Sequence, residues 1–198
     1  MGRKHREERR EKREDFAAKR SHQKQKNMLL TVGILGLIGL IVGYASFTFV
    51  TMGTDTPGAP PGAGKLGDEH EHASMLVRIF GDKFDFSATT YQIKSSWIHF
   101  EESDGNTIHR HSSGVTLGYL YDTLGIGIDE NCYVFSDGRQ FCTNEDYSLK
   151  YFINGDSVNR INDYVIQDDD RILISYGAET EEQINEQLNE LYSQIIRD

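Results

Sequence analysis

Hydrophobic and polar positions divide the chain into parts with different periodicities. Residues 28–50 contain no Asp, Glu, Lys, Arg or His, so the apolar pattern is continuous there. A helix over these residues would be about 35 Å long, more than the roughly 30 Å hydrocarbon core of a bilayer. A buried helix of a soluble domain is rarely apolar on every side, and the apolar part of a cleaved signal peptide usually has only about 7–15 residues. The pattern therefore favours an uncleaved transmembrane helix.

From about residue 70 the pattern changes to short alternating segments separated by turn residues, which is typical of strands. Three hairpins are predicted, over residues 74–86, 97–111 and 132–143. A helix is predicted over residues 116–124, and further strands over residues 149–153, 164–166 and 172–176. Strands on both sides of one helix indicate an α+β domain in which a mixed sheet packs around that helix.

The last residues of the chain, 181–197, have helical periodicity and predict an amphipathic helix. Thr180 and Gln183 have the spacing of a capping box at its start. Its apolar stripe consists of four residues: Ile184, Leu188, Leu191 and Ile195. The stripe packs either on the sheet of its own domain or on a partner helix. The first is favoured, because a coiled coil of fewer than about three heptads is rarely stable.

All three prolines lie within residues 54–67, together with four glycines. This composition predicts a flexible, partly extended tether. The predicted organisation has five parts: a basic tail (residues 1–27), a transmembrane helix (28–50), a Pro/Gly-rich linker (51–69), an outer domain (70–178) and a C-terminal amphipathic helix (179–198).

The formal net charge of −10 is a sum over two oppositely charged regions. Residues 1–27 hold 11 of the 21 basic side chains and five acids, whereas residues 51–198 hold the other ten and 26 acids. The positive-inside rule then predicts a cytoplasmic N-terminus, an acidic domain outside the cell membrane, and contact of the basic tail with the lipid bilayer. A cytoplasmic partner is the alternative, and a nucleic acid partner is disfavoured because acids are interleaved in the tail.

Two glycines of the apolar segment, Gly39 and Gly43, form a GxxxG pair. Such a pair lets two helix backbones approach closely, so it indicates a homodimer, although glycine is common in membrane helices and the signal is weak.

The only two cysteines, Cys132 and Cys142, flank a Ser-Asp-Gly turn. If the hairpin loop is residues 136–138, the two cysteines lie directly opposite each other. Outside the cytoplasm such a pair oxidises, and closing the short loop would stabilise the fold by roughly 2–3 kcal/mol. Redox-active pairs are more typical of Cys-x-x-Cys at a helix N-terminus. A structural disulfide is therefore favoured over free thiols and over redox catalysis.

Five of the seven histidines lie within residues 70–111: His70, His72, His99, His109 and His111. In the second hairpin a three-residue loop, 103–105, pairs His99 with His109. The residues expected on the same face are Trp97, Glu101 and His111, and those on the core face are Ile98, Phe100 and Ile108. Imidazoles grouped on one face suit Cu(II), Zn(II) or Ni(II), with His70 and His72 as further candidate ligands. The alternatives are a polar surface that recognises another ligand and a catalytic site.

The segment YFINGDSVNRINDYVIQDDDRILISYG, residues 151–177, resembles the closing strands of β-grasp, ubiquitin-like domains. Sulfur-carrier members of that family end in Gly-Gly, but this chain continues past Gly177, so the resemblance does not imply that activity. The basic tail, single span, Pro-Gly tether and the HEH and HRH motifs together resemble small membrane-anchored proteins of ammonia-oxidising archaea. Some of those carry a protein-disulfide isomerase label.

Two functions follow from these features. The favoured one is a non-enzymatic, membrane-anchored extracytoplasmic module that binds copper, zinc or another divalent metal, or an envelope protein. The alternative, implied by the resemblance, is a membrane-anchored thiol–disulfide oxidoreductase or its accessory. The cysteine spacing favours the first, and no nucleophile triad, phosphate-binding loop or zinc-protease motif indicates an enzyme.

Overall fold

The computed structural model describes residues 2–51 and 58–197. The chain forms two units, residues 1–53 and residues 54–198, which are described separately. Residues 52–57, in the first half of the predicted linker, lie outside the described part of the chain.

The N-terminal unit is a single helix, α1 (Gly2–Thr51). Within it, Gln23–Phe47 has a mean hydropathy of 2.3 and is exposed along its whole length. This stretch is long and apolar enough to cross a membrane, and it overlaps the predicted residues 28–50. A signal sequence near an N-terminus can also contain a helix of this kind.

The second unit is an α+β domain, as the pattern predicts. Its strands are β1 (Glu71–Ile79), β2 (Asp82–Lys83), β3 (Ile98–His99), β4 (Thr107–Arg110), β5 (Gly127–Ile128), β6 (Cys132–Val134), β7 (Gln140–Cys142), β8 (Ser148–Ile153), β9 (Asp156–Val158) and β10 (Asp170–Gly177). Its helices are α2 (Leu117–Leu124) and α3 (Glu181–Ser193), with a 3-10 turn at Thr89–Tyr91.

The main sheet is mixed, with the strand order β3-β4-β1-β10-β8-β9. Its two central strands, β1 and β10, run parallel, with Leu76 opposite Leu173. The other pairs of this sheet are antiparallel, including β2, which pairs with the end of β1. A smaller antiparallel sheet has the order β5-β6-β7. Parallel neighbours need a long crossover, and here α2 and the small sheet lie between β1 and β10 in the chain.

Alternate residues of the central strands face opposite sides of the sheet. Ala73, Met75 and Val77 of β1 join the main core, which also contains Leu117 and Leu120 of α2. The opposite face has a smaller cluster, formed by Leu76 and Leu173 with two residues of α3, Ile184 and Leu191. The domain is therefore a sheet with one helix on each face.

Local capping agrees with the sequence at both helices. The Thr116 hydroxyl accepts a hydrogen bond from the backbone N–H of Tyr119, and Gly125 ends α2 with φ 70°. Thr180 and Gln183 form the predicted capping box of α3.

The C-terminal helix packs on the sheet of its own domain, the favoured alternative, but it is shorter than predicted. It ends at Ser193, and Gln194 takes an extended conformation. Ile195 is 79% exposed and lies outside the apolar stripe. The other three stripe residues, Ile184, Leu188 and Leu191, pack in the apolar cluster around Leu76 and Leu173 of the sheet.

The second half of the predicted linker packs against the domain instead of extending freely. The backbone N–H of Gly64 donates to the carbonyl of Ser113 (2.8 Å), and that of Gly67 donates to the carbonyl of His111 (2.6 Å). Asp68 accepts hydrogen bonds from the N–H and the hydroxyl of Ser113, both 2.8 Å long. Composition alone predicted a flexible segment. It could not predict this packing, because composition carries no information on backbone partners far apart in the chain.

Candidate metal centre

Three histidines form a row across three neighbouring strands. His72 of β1 lies opposite His109 of β4, and His109 lies opposite His99 of β3. The pairing of His99 with His109 is the register predicted from the three-residue loop. The pairing of His72 with His109 joins segments far apart in the chain.

His70 and His111 extend this row into a patch of five imidazoles. The ring centroid of His70 lies 4.6 Å from that of His72 and 4.6 Å from that of His111. The centroids of His72 and His109 are 4.8 Å apart, and those of His99 and His111 are 4.9 Å apart. All five predicted site histidines therefore lie side by side on one face of the sheet.

Within the described part of the chain, three of these histidines form a group that could hold a metal ion. One ring nitrogen each of His70, His72 and His109 lies within 4.8 Å of the other two. His99 and His111 border this group without belonging to it.

Burial differs sharply among the five rings. His72, His99 and His109 are 7%, 6% and 3% exposed, whereas His70 is exposed and His111 is half-buried. The patch is thus closed by the sheet on one side and reaches solvent at His70 and His111.

Two carboxylates lie at the ends of the histidine row. Glu101 has one oxygen 3.2 Å from Nε2 of His99 and the other 3.5 Å from Nδ1 of His109. Asp168 lies 3.7 Å from Nδ1 of His72 and accepts a hydrogen bond from the backbone N–H of the same residue (3.1 Å). Carboxylates beside the second nitrogen of a histidine are the partners that orient metal-binding imidazoles.

Backbone contacts fix the orientation of another ring. Nδ1 of His99 lies 2.6 Å from the carbonyl oxygen of Ser95, which can only accept, so this nitrogen carries a proton. The Nε2 atom of His99 is therefore directed at Glu101.

Burial favours the neutral form of two imidazoles, those of His109 and His111. It lowers the pKa of His109 to about 4, an effect that Glu101 opposes and that neighbouring histidines reinforce. Burial also lowers the pKa of His111, again reinforced by His99 and His70. Burial of Glu101 would raise the pKa of that carboxyl, but the hydrogen bond with His99 and the nearby His109 outweigh it and lower the pKa. Neutral imidazoles have the lone pair that a metal ion requires.

An arginine that no sequence motif indicates supports the patch from the opposite face of the sheet. Arg110 is almost fully buried; its Nε donates to the carbonyl of Ile166 (3.0 Å) and its Nη1 to that of Ser112 (2.6 Å). It also pairs with Glu69. Because Glu69 precedes His70 and Ser112 follows His111, this side chain holds both histidine-bearing segments in place.

The structure corrects the predicted position of Trp97. It was expected beside the histidines, but it is buried in the main core. Trp97 lies just outside β3, where the backbone no longer alternates as a regular strand, so its large apolar side chain turns toward the core.

The chain end borders the patch. Ser74 and Thr107 form the next row after His72 and His109 along β1 and β4. The Ser74 hydroxyl donates to Oε1 of Gln194 (2.5 Å), and the backbone N–H of Arg197 donates to the Thr107 hydroxyl (3.3 Å). Residues 194–197 therefore cover the sheet next to the histidines.

The two cysteines form a disulfide in the small sheet. Cys132 lies directly opposite Cys142, in the predicted register, and Gly138 of the loop has φ 89°. Both residues are half-buried on strands, and neither lies at a helix N-terminus, the position that activates a thiolate. This arrangement is the one expected of a structural crosslink.

Comparison of the chain with protein-family models, curated proteins and solved structures finds no match. The resemblance to archaeal membrane-anchored proteins stays a prediction.

Proposed function

We propose that this protein is a membrane-anchored binding module whose outer domain holds a divalent metal ion, copper or zinc, through His70, His72 and His109. The observation that carries the proposal is the approach of three ring nitrogens to within 4.8 Å of one another. Two of these rings are buried, and the third reaches solvent, so an ion has both a preformed pair of ligands and a path of entry.

The three imidazole ligands suit a metal ion of intermediate softness. Imidazole nitrogen suits Zn(II), Cu(II) and Ni(II), and affinity along this series is highest for copper. Zinc–nitrogen bonds of about 2.0–2.1 Å put tetrahedral ligands about 3.3 Å apart, so a bound ion would draw the rings closer together. His70 is the exposed member of the three, so its ring can turn toward an ion.

The surroundings of the ligands support the same function. Glu101 and Asp168 lie beside the Nδ1 atoms of His109 and His72, the position of carboxylates that orient metal-binding imidazoles. The lowered pKa of His109 reduces competition between a proton and the metal at that ligand.

The anchor and its orientation are part of the proposal. A basic tail before the apolar helix supports a cytoplasmic N-terminus, and a disulfide in the outer domain supports an oxidising compartment for residues 58–197. The tail would contact the bilayer, and envelope proteins are candidate partners. Gly39 and Gly43 have no atoms nearby that would obstruct a second helix, which is compatible with a homodimer.

The strand order supports a β-grasp relationship for the outer domain. β1 and β10, the first and last strands of the main sheet, are parallel at its centre, with β4 beside β1 and β8 beside β10. One helix, α2, crosses the face of this sheet. This arrangement is the one expected from the resemblance of residues 151–177 to β-grasp domains.

Metal titration of the full chain in phosphatidylcholine nanodiscs tests the proposal. We expect Cu²⁺ and Zn²⁺ each to bind with one equivalent in calorimetry, and Cu²⁺ to show nitrogen coupling in electron paramagnetic resonance. His70→Ala should weaken binding by at least roughly tenfold, because it removes a ligand without disturbing a buried side chain.

His22→Ala is the matched control, since it removes a histidine from α1 and leaves the patch intact. It should bind as wild type does. The proposal fails if wild type takes up no stoichiometric metal, or if His70→Ala and His22→Ala bind equally well.

A further inference from the structure

A groove at the other end of the α3 face is separate from the histidine patch. It encloses about 490 Å³ between the start of α3 and the turn after β1. Its walls include one basic residue, Arg78, together with Phe80, Tyr147, Glu179, Glu186, Gln187 and Glu190. Carboxylates and aromatic rings thus share one concave surface.

The glutamates on one face of α3 repel one another, which lowers the stability of the helix. Glu182, Glu186 and Glu190 are spaced four residues apart on α3, so like charges are neighbours along one helix face. Such pairs destabilise a helix. Arg78 pairs with Glu190 and Lys150 with Glu179, whereas no ion pair to Glu186 occurs within residues 58–197.

One residue that lines the groove, Gln187, also carries a buried acceptor. Gln187 is 7% exposed, and its Oε1 atom has no hydrogen-bond partner in the part of the chain that the structure describes. Leaving a buried acceptor unpaired costs free energy, so a donor from a ligand would be stabilised there.

The aromatic wall is held in a strained conformation. Phe80 has φ 53°, in the left-handed region that bulky side chains rarely adopt, and its ring is largely exposed. The following residue, Gly81, has φ 82°, so the two form a tight turn between β1 and β2. Phe80 packs edge-on against Tyr147, with ring centroids 4.9 Å apart. Strain that keeps an aromatic ring in solvent is typical of binding surfaces.

We propose that this groove binds a basic side chain, lysine or arginine, of an extended partner polypeptide. The cation would lie over the Phe80–Tyr147 wall and beside the Glu186 carboxylate, and its N–H groups would reach Gln187. Exposed aromatic faces favour an organic cation over a hydrated metal ion. The formal charge of −16 over residues 51–198 would attract a basic partner from a distance.

The test uses the full chain in phosphatidylcholine nanodiscs and a fluorescent hexapeptide of alternating arginine and glycine. Fluorescence anisotropy should show binding that is lost when citrulline replaces arginine. Glu186→Gln should weaken binding roughly two- to fivefold through the lost charge. Phe80→Asn should also weaken it roughly two- to fivefold, because it removes the ring while Asn-Gly still favours the turn.

Asp156→Asn is the matched control, because it removes one negative charge from β9, outside the groove. Unchanged binding by this variant and by His70→Ala supports a local site that is independent of the metal proposal. The proposal is overturned if Asp156→Asn weakens binding as much as Glu186→Gln does, if the citrulline peptide binds equally, or if spermidine binds as tightly as the peptide.

Discussion

The face of the main sheet toward α2 and the face toward α3 are built from alternate residues of the same strands. Toward α2, β1 presents Ala73, Met75 and Val77 to one large apolar core. Toward α3, the same strand presents His72, Ser74 and Leu76, and only Leu76 belongs to an apolar cluster.

The difference lies in how much of each face is covered. The helix α3 packs over the middle of its face, and the polar histidine patch and the acidic groove remain at the two ends. Burial on the α2 face supplies the stability that lets the α3 face carry side chains which are unfavourable for folding. Polar groups at partly covered edges keep access to solvent and ligands.

The largest expected effect is on the free energy of unfolding, when one fully buried leucine from each face is replaced by alanine. Leu120→Ala on the α2 side should lower the free energy of unfolding by about 3–5 kcal/mol, and Leu191→Ala on the α3 side by about 2–3 kcal/mol. The small cluster around Leu191 can collapse, whereas the larger core cannot. Urea unfolding followed by fluorescence of Trp97, the single tryptophan, measures both. Equal losses would contradict the difference in coverage.

A second prediction concerns the cost of the buried histidine. The pKa of His109 is about 4 in the folded protein and near 6.5 in the unfolded chain. Above pH 6.5 both states hold the neutral ring, whereas between pH 6.5 and 4 only the unfolded state takes up the proton. Metal-free protein should therefore lose about 3 kcal/mol of stability as the pH falls through this window.

His109→Gln isolates that contribution, because it keeps a polar side chain but removes the titrating group. The variant should show a weaker dependence of the urea midpoint on pH than wild type over the same window. Parallel curves for the two proteins would mean that His109 titrates normally.

The smallest expected effect concerns the disulfide, which crosslinks the small sheet on the α2 side. Replacing Cys132 and Cys142 together by serine should cost about 2–3 kcal/mol, since the crosslink restricts the unfolded chain. Metal affinity should not change, because the histidines belong to the main sheet.

Thiol labelling under mild reductant provides the matching measurement on the wild-type chain. Slow reduction is the result expected of a structural crosslink. Rapid, reversible reduction at a potential near those of oxidoreductases would instead support the redox alternative.

Much of the local structure could be predicted because its causes are local. The Ser-Asp-Gly turn predicted the register that pairs Cys132 with Cys142, and the capping box predicted the start of α3. The pairing of His99 with His109 was also predicted, although residues 100–106, and not a three-residue loop, join the two strands. The first hairpin forms within the predicted residues 74–86, but turn preferences do not predict its turn at Phe80–Gly81, where an aromatic residue has positive φ. The same reasoning failed for Trp97, whose direction depends on the main core.

The sequence by itself determined an apolar helical segment, an α+β pattern, two hairpin registers and five histidines with the chemistry to bind a metal. Only the tertiary structure decided that His72 lies opposite His109 and that Asp168 lies beside His72. The parallel pairing of β1 with β10 likewise joins segments almost a hundred residues apart. Hairpin pairing is set by a few turn residues, whereas these long-range pairings are set by packing of the whole core, for which no short stretch of sequence carries a signal.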